Sequence, residues 1–566
     1  MKHFSKIAIM TICLIITALF TSACGGGGKS NPPNNSALYY LLAQQNNNQQ
    51  ENNNQQENNN QQQNNNEEPA TTEVTLTLTD SLNADNIATA DIFYKVESTS
   101  KTADEEDQEI SKVEPTANDK SKFTVTATGT NSPDNVKIKA IITYDSEGQC
   151  LDYFSSYDGV SAENGIFNIN FENENGDFAK GTGTATDPYL ISQPKHFANM
   201  NKKDDQGDYL YLGKQDIHFK QDKDLDFTHL TGLKIVKAED DKDITIETTN
   251  EKAPFYNEGH GLTPIGEIDE NHDEYYFAGT YEGNNKIIDG ILLVNTPKYN
   301  IGLFTGFDNV NIQNLTIGEN SIIFIDENNE NYSNDYFYIG VLVAYTNKST
   351  IKNCTNNAKI IVKNIEITSD YYSQINGIMA CGEDSTITNC TNNGNITIDK
   401  SKFHYLYANG IVGGLYTDDV TPTVDTCTNN GDITITNNTN SNTDDNLYLW
   451  VSGIIGDTEN GEIKNCTNNG NIIVSNNSNL WLFSSGIITQ AYMVNITSCK
   501  NTDKGNITIS NNTITNNELS CSIRAYGIAN VTSNITTQIS GCTNEGTITV
   551  TGNADDYIIE QGNLYN

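Results

Sequence analysis

The sequence predicts an all-β chain, most of it a parallel β-helix, preceded by a small immunoglobulin-like β-sandwich. Three observations carry this. First, one phrase recurs around Cys354, Cys390, Cys427, Cys466, Cys499 and Cys542, at spacings of 36, 37, 39, 33 and 43 residues. It reads I-K-N-C-T-N-N-A-K-I from Ile351, K-N-C-T-N-N-G-N-I from Lys464 and S-G-C-T-N-E-G-T-I from Ser540. Second, a glycine and an apolar residue precede each cysteine by 13 to 17 residues, as at Gly340-Val341, Gly377-Ile378, Gly453-Ile454 and Gly527-Ile528. Third, isoleucines alternate with polar residues between these marks, the period of a half-buried strand. A fixed period of this size marks a solenoid whose repeats cannot each bury a core alone.

Within a repeat the pattern predicts three short strands: Gly453–Gly456, Glu462–Cys466 and Asn471–Val474. Asn-Gly and Asn-Asn pairs punctuate them, because both residue types tolerate positive φ at sharp corners. Seven such turns, about 4.8 Å apart, would make a rod of roughly 35 Å.

The cysteine slot reads as a core slot. In the first repeat Leu315 occupies it, within I-Q-N-L-T-I, and a position that accepts leucine treats cysteine as a small hydrophobe. Interturn disulfides and a metal ladder are the alternatives. Parallel Cβ vectors pose the sulfurs badly for a bridge, and neither C-x-x-C nor a Cys/His cluster of zinc spacing occurs. Asn314, Asn353, Asn389 and Asn465 precede the slot; their amides are placed to hydrogen-bond along the rod at a corner.

Y-N-I-G-L-F-T-G-F (Tyr299 to Phe307), followed by V-N-I-Q-N-L-T-I (Val310 to Ile317), resembles the GLUG motif of bacterial surface proteins. So do G-T-G-T-A-T-D-P-Y-L-I-S from Gly181, L-T-P-I-G from Leu262 and F-A-G-T-Y-E-G-N-N-K-I-I from Phe277. The resemblance covers about residues 180 to 550. It implies a right-handed parallel β-helix displayed on a cell surface, of the adhesin-like kind. The cysteine repeats depart from the usual pattern by their longer Asn-rich loops.

The N-terminus sets an address. Lys2 and Lys6 precede an apolar run from Ile7 to Phe20, short for a membrane span and suited to a signal peptide over residues 1–23. Thr21-Ser22-Ala23-Cys24 resembles a bacterial lipoprotein box, which implies acylation at Cys24, and Gly25 implies export to the outer membrane. Ordinary cleavage near Ala23 is the alternative. Residues 24–69 read as a tether, since Gln44 to Asn66 holds little but Gln and Asn and offers no apolar surface to offset chain entropy.

Residues 70–175 form a separate unit, with alternating strands at Glu73–Thr79, Asp91–Val96, Lys122–Thr128, Val136–Tyr144 and Gly165–Phe171. Five or more strands with polar turns suggest the immunoglobulin-like sandwich. Its lone Cys150 excludes the intradomain disulfide of antibody domains. The β-helix is then expected over 178–560.

Composition limits the partners. Lys plus Arg number 33, Asp plus Glu 73, and the net charge is −40. The one arginine is Arg524. Such a chain repels nucleic acid and attracts cations or basic partners. Catalytic constellations are scarce, and no cofactor is implied. Asp224 and Asp226 share a strand face, but they match a GLUG position whose role is structural. The seven histidines form no H-E-x-x-H. The acidic loop Glu267–Glu274 lacks the glycine and terminal glutamate of an EF-hand and reads as solvated, with calcium as the alternative.

Aromatics cluster before each repeat glycine: Tyr336 to Tyr338, Tyr371 and Tyr372, Tyr405 and Tyr407, Tyr448 and Trp450, Trp481 and Phe483, and Tyr526. Aligned turns would stack them into a stripe, with alternate members pointing inward as core. Tyr448, Trp450, Trp481 and Phe483 are the candidate ligand-binding residues, expected to present at least two rings to solvent. The function this suggests is surface binding of a glycan or protein by a lipid-anchored rod. A polysaccharide-degrading enzyme on the same scaffold is the alternative; a pair of carboxylates in a groove on the rod's side would favour it.

Overall fold

The computed structural model describes residues 70–566 except 80–83, 98–106, 172–175, 238–243, 269–273, 327–335, 368–370, 418, 441–446, 514–521, 532–536, 553–557 and 564–566. The expectations for the leader, Cys24 and the tether lie outside the described residues. So do the centres of the acidic loops at 103–109 and 267–274.

Seven strands make the N-terminal sandwich: β1 (Thr71–Thr79), β2 (Thr89–Val96), β3 (Gln108–Val113), β4 (Lys122–Thr128), β5 (Val136–Tyr144), β6 (Cys150–Ser161) and β7 (Ile166–Asn170). They form two sheets, ordered β4-β1-β7 and β3-β2-β5-β6. β1 and β7 pair in parallel. Leu76, Phe123 and Phe167 from one sheet meet Ile92, Val136 and Ile141 from the other in a single core. β1 and β2 therefore face each other across that core rather than pairing side by side. Cys150 is a free thiol, and burial pushes its pKa up to about 12.

The sandwich docks on the first rungs of a parallel β-solenoid. The Ser155 hydroxyl donates to the Asp226 carbonyl at 2.7 Å, and Lys195 pairs with Asp152 at 3.0 Å. Beyond this junction one strand of the solenoid follows each of the seven recurring glycines.

Each turn runs through four sheets where the sequence pattern indicates three strands. Taking one turn as the example, sheet A holds Leu447–Ser452, sheet B Ile455–Glu459, sheet C the pair Glu462–Lys464 and Thr467–Asn468, and sheet D Ile472–Ser475. Sheets A and D contain eight strands each and sheet B seven. The additional strand is the aromatic segment before the glycine. Its apolar residues outnumber its polar ones, so alternation is hidden.

Every strand pairs in register with its counterpart one repeat on: Ile351 with Ile387, Val424, Ile463, Ile496 and Ile539. Sheet D stacks Ile396, Ile433, Ile472 and Ile507. Stacking like on like buries identical side chains in columns, so one repeat's pattern serves all. Leu315 leads the cysteine column, as its register between Gln313–Lys352 and Thr316–Thr355 requires. Cys354 to Cys499 are at most 2% exposed, and all the described cysteines are free thiols. Each repeat thiol donates to backbone carbonyls, as Cys466 does to Val424 and Lys464 at 3.5 and 3.3 Å. Hydrogen bonds between neighbouring sulfurs and the dry surroundings push the Cys354 and Cys427 thiols up, while hydrogen bonds from the adjacent thiols push Cys390 and Cys466 down.

The corner before each cysteine is left-handed: φ is 57° at Asn314, 54° at Asn353, 52° at Asn389, 56° at Thr426, 54° at Asn465 and 54° at Ser498. Asparagine suits that conformation better than other non-glycine residues. The amides do link along the rod, Asn353 donating to Asn314 at 2.9 Å and Asn389 to Asn353 at 2.8 Å.

A second ladder runs inside. The asparagines two residues after the cysteines donate in series: Asn356 to Asn392 at 2.8 Å, then Asn429, Asn468 and Asn501 at 2.9 Å, and Asn501 to Asn544 at 2.7 Å. Each donates also to the backbone carbonyl two or four residues on, such as Gly470 from Asn468 at 3.0 Å. The glycine of the A–B corner packs on this ladder. A Cβ at Gly453 would lie 2.2 Å from Asn468 Cγ, and one at Gly410 2.3 Å from Asn429 Cγ. The two recurring phrases are thus two sides of one contact across the interior.

Candidate functional site

Two places on the molecule gather chemistry. One is a cleft of 730 Å³ at the sandwich–solenoid junction, lined by Phe93, Asp107, Lys139, Tyr157, Asp226, His229 and Asp289 among others. Its polar groups are occupied by one another. His229 pairs with Asp107 at 2.8 Å and stacks on Phe93 at 4.3 Å. Asp226 and Asp289 sit side by side on paired strands. Asp226 accepts the Thr228 amide at 2.9 Å. Asp289 accepts from the amides of Gly290 and Asn320 at 2.9 and 3.0 Å and from the Asn320 side chain at 2.9 Å. Asp224 caps the Ile287 amide at 2.8 Å. These carboxylates hold turns together, the structural role the sequence suggested for Asp224 and Asp226. No group of three or more His, Cys, Asp or Glu suited to a metal occurs among the described residues.

The other is the outer surface of sheet A. There the aromatic residues form two columns in register. The inner column, next to the A–B corner, runs Tyr338, Gln374, Tyr407, Trp450, Phe483, Arg524 and Glu560. The outer column runs Tyr372, Tyr405, Tyr448 and Trp481. Both lie on the same face, two residues apart on each strand. The inward positions belong instead to Leu406, Leu449, Leu482 and Ile523, all fully buried. The expectation that alternate aromatics of the stripe point into the core is therefore corrected for these strands. Phe337 is the exception, buried inside between Tyr336 and Tyr338.

Stacking decides what the rings offer. Tyr407 and Trp450 lie 4.6 Å apart at 9°, and Trp450 and Phe483 6.0 Å apart at 10°. The Arg524 guanidinium caps the column over Phe483 at 5.5 Å and pairs with Glu560 at 2.9 Å. In the outer column Tyr405, Tyr448 and Trp481 stack at 5.1 and 5.7 Å. Ring faces are thus covered by ring faces, and edges point outward. Trp450 and Phe483 are only 7% and 9% exposed; Tyr448 and Trp481 are half-buried. Tyr372 and Tyr371 stand out at 43% and 50%. The indole nitrogens of Trp450 and Trp481 are buried and have no acceptor among the described residues.

Sheet B meets this surface at a re-entrant corner. The Tyr407 hydroxyl reaches across it and donates to Gln490 Oε1 at 3.0 Å. Gly456 makes the approach possible, since a Cβ there would lie 2.7 Å from the Tyr407 ring. The outward column of sheet B nearest the corner runs Tyr345, Cys381, Gly414, Asp457 and Gln490. The next holds Glu383 and Tyr416, then Glu459 and Tyr492. Asp457 is thus enclosed by tyrosines, and burial first, then the nearby Glu459, push its pKa up to about 7. Burial and the Asp457 charge in turn push the Tyr407 and Tyr416 phenols up. Sequence reading missed Asp457; nothing in I-I-G-D-T-E separates it from a surface aspartate until sheets A and B are placed against each other.

Trp450→Ala is expected to lower stability by about 3 kcal/mol in denaturant titrations, as for any large buried ring. Tyr448→Ala, half-exposed at a column edge, should cost about 1 kcal/mol. Equal, small losses from both would show that the inner column does not pack as described.

Searches of protein-family models, curated proteins and solved structures find no match to this chain.

Proposed function

We propose that this protein is a surface-displayed binding protein whose corner between sheets A and B receives an extended glycan. The observation that carries this is the aromatic surface of sheet A, set beside the acidic residues of sheet B on a solenoid whose other outward positions are largely Asn and Thr. Phenol edges combine apolar area with hydrogen-bond donors, which suits sugar hydroxyls and ring oxygens. The ring faces are used within the columns, so recognition is by edges. Column spacing of about 4.8 Å is close to the length of one pyranose unit, so successive rungs meet successive sugars.

Display rests on the lipoprotein-like Cys24 and the Gln/Asn tether, which would lift the solenoid clear of a membrane. Cys24→Ser should move the protein from the membrane to the soluble fraction and abolish incorporation of a fatty-acid probe. Equal labelling of both forms would remove the anchor from the reading. Binding is tested by screening the purified chain on an oligosaccharide array, with Tyr372→Ala and Tyr448→Ala as variants. Ligands whose binding survives both substitutions unchanged would place recognition elsewhere, and the polysaccharide-degrading alternative would be revived by release of reducing ends from a bound ligand.

A further inference from the structure

Asp457 is a carboxyl group set into an aromatic corner without a paired cation among the described residues. It lies in register between Gly414 and Gln490. Tyr407 leans over it from sheet A to reach Gln490, and the Tyr416 phenol fills the space that the missing side chain of Gly414 leaves, 2.7 Å from where a Cβ would be. The charged or titratable groups that bear on it are Glu459 on its own strand, Tyr416 on the preceding strand of sheet B, and Tyr407 on sheet A. None is a cation. Nearby lysines and the arginine are committed elsewhere: Lys348 to Asp419, Lys464 to Asp425 and Glu462, and Arg524 to Glu560. Beside it, Trp450 is 7% exposed and its indole nitrogen has no acceptor among the described residues.

Asp457 is half-buried, and a carboxylate held there with no counter-charge costs stability unless a ligand supplies that charge. Glu459 at the rim and Glu383 two rungs earlier on the same side add to the negative field. Low dielectric between the rings strengthens any ammonium–carboxylate contact made there.

We propose that the corner selects a glycan carrying free amino groups, whose ammonium pairs with Asp457 while its hydroxyls meet the outward phenol edges of Tyr372 and Tyr448. This rests on the glycan-binding reading above and deepens it by naming the ligand class. Lysine side chains of a protein offer the same ammonium, but they lack the row of hydroxyls that the outward phenol edges of Tyr372 and Tyr448 are placed to meet.

The test compares a glucosamine hexasaccharide with its fully N-acetylated counterpart, a pair that differs in charge at every unit and shares its backbone. The chain's two tryptophans, Trp450 and Trp481, both lie in the aromatic columns, so intrinsic fluorescence reports on this corner alone. At neutral pH the amino form should bind about tenfold or more tightly than the acetylated form, the scale of one additional charge-assisted contact. Asp457→Asn should erase that preference. Calorimetry in buffers of different ionisation enthalpy should show proton release on binding to the parent protein and none for the variant.

A ligand-independent arm checks the variant itself. A carboxyl raised from its ordinary value to about 7 favours the folded state below its unfolded pKa, and that advantage is lost as pH rises towards 7. Asp457→Asn should therefore melt higher than the parent at pH 8 and show no such gain at pH 4. Equal affinity for the two hexasaccharides, or a preference retained in Asp457→Asn, overturns the amino-glycan inference and leaves the glycan reading standing. Binding of neither oligosaccharide, with binding of a lysine-rich peptide, overturns both in favour of a protein ligand. Binding of neither sugar nor peptide overturns both outright.

Discussion

Cys466→Asp should unfold the C-terminal repeats at neutral pH, whereas Cys466→Leu should cost only about 1 to 2 kcal/mol of overfilling. The slot is fully buried, and around the sulfur lie the Val424 and Lys464 carbonyls at 3.5 and 3.3 Å, with Cys427 and Cys499 on the adjacent rungs. Those carbonyls are acceptors, which a carboxylate repels. Only the weakly donating Cys427 and Cys499 thiols and the Cys427 amide face the new charge, so the aspartate would have to protonate or force the strands apart, a loss of about 4 kcal/mol or more. Leucine fits because Leu315 already fills the equivalent place one column-end away. Urea titrations of both variants check this. Similar stabilities would mean that the slot is wet. Thiol counting should find the repeat cysteines unreactive when folded and all reactive in denaturant; thiols that stay blocked until a reductant is added would reveal bridges instead.

Asn468→Leu should be as damaging, for the opposite reason. This asparagine is fully buried and serves four partners. It donates to Asn501 Oδ1 at 2.9 Å and to the Gly470 carbonyl at 3.0 Å. It accepts from Asn429 Nδ2 at 2.9 Å and from the Gly470 amide at 3.3 Å. A leucine of similar size satisfies none of them. Each orphaned buried group costs about 1 to 3 kcal/mol, so a total of about 5 kcal/mol is expected even after local relaxation. The A–B corner suffers too, because Gly453 packs directly on this side chain. The neighbouring Asn469 also belongs to a ladder, donating to Asn430 at 2.7 Å, but it is partly exposed and water can replace its partner. Asn469→Leu should cost about 1 kcal/mol. Because repeats are coupled mainly to their neighbours, hydrogen exchange should localise the Asn468→Leu damage to the adjoining turns. A uniform loss of protection along the whole solenoid would contradict a ladder that acts locally.

Both effects bear on the corner where ligand is proposed to bind. Sheet A holds its aromatic columns in register only while each rung lies directly on the last. The interior asparagines and thiols fix that register, so core variants in turns 447–485 should weaken binding as well as stability.

Much of this was legible in the chain itself. The cysteine phrase, the glycine ahead of it and the alternating isoleucines determined a solenoid, because a repeat of this length can bury an apolar face only against its own copy. Leu315 in the cysteine slot determined that the slot is core. Asparagine before the slot determined a left-handed corner, since few other side chains sit there without strain. The sandwich followed from its alternating strands. Tertiary structure alone decided the rest. The sheet A strand of each turn was hidden, because L-Y-L-W-V-S has apolar residues on both faces and so lacks a period. Both columns of rings face outward because leucines take the interior, a choice that depends on how closely sheets A and B approach at the corner. The interior Asn ladder and the glycine that packs on it lie 15 residues apart in the chain, as Gly453 and Asn468 do, and become one contact only when the turn closes. Asp457 differs from the many surface carboxylates of this acidic chain by its surroundings alone. Those surroundings come from residues one repeat before and one repeat after it, so no local stretch of sequence could mark it.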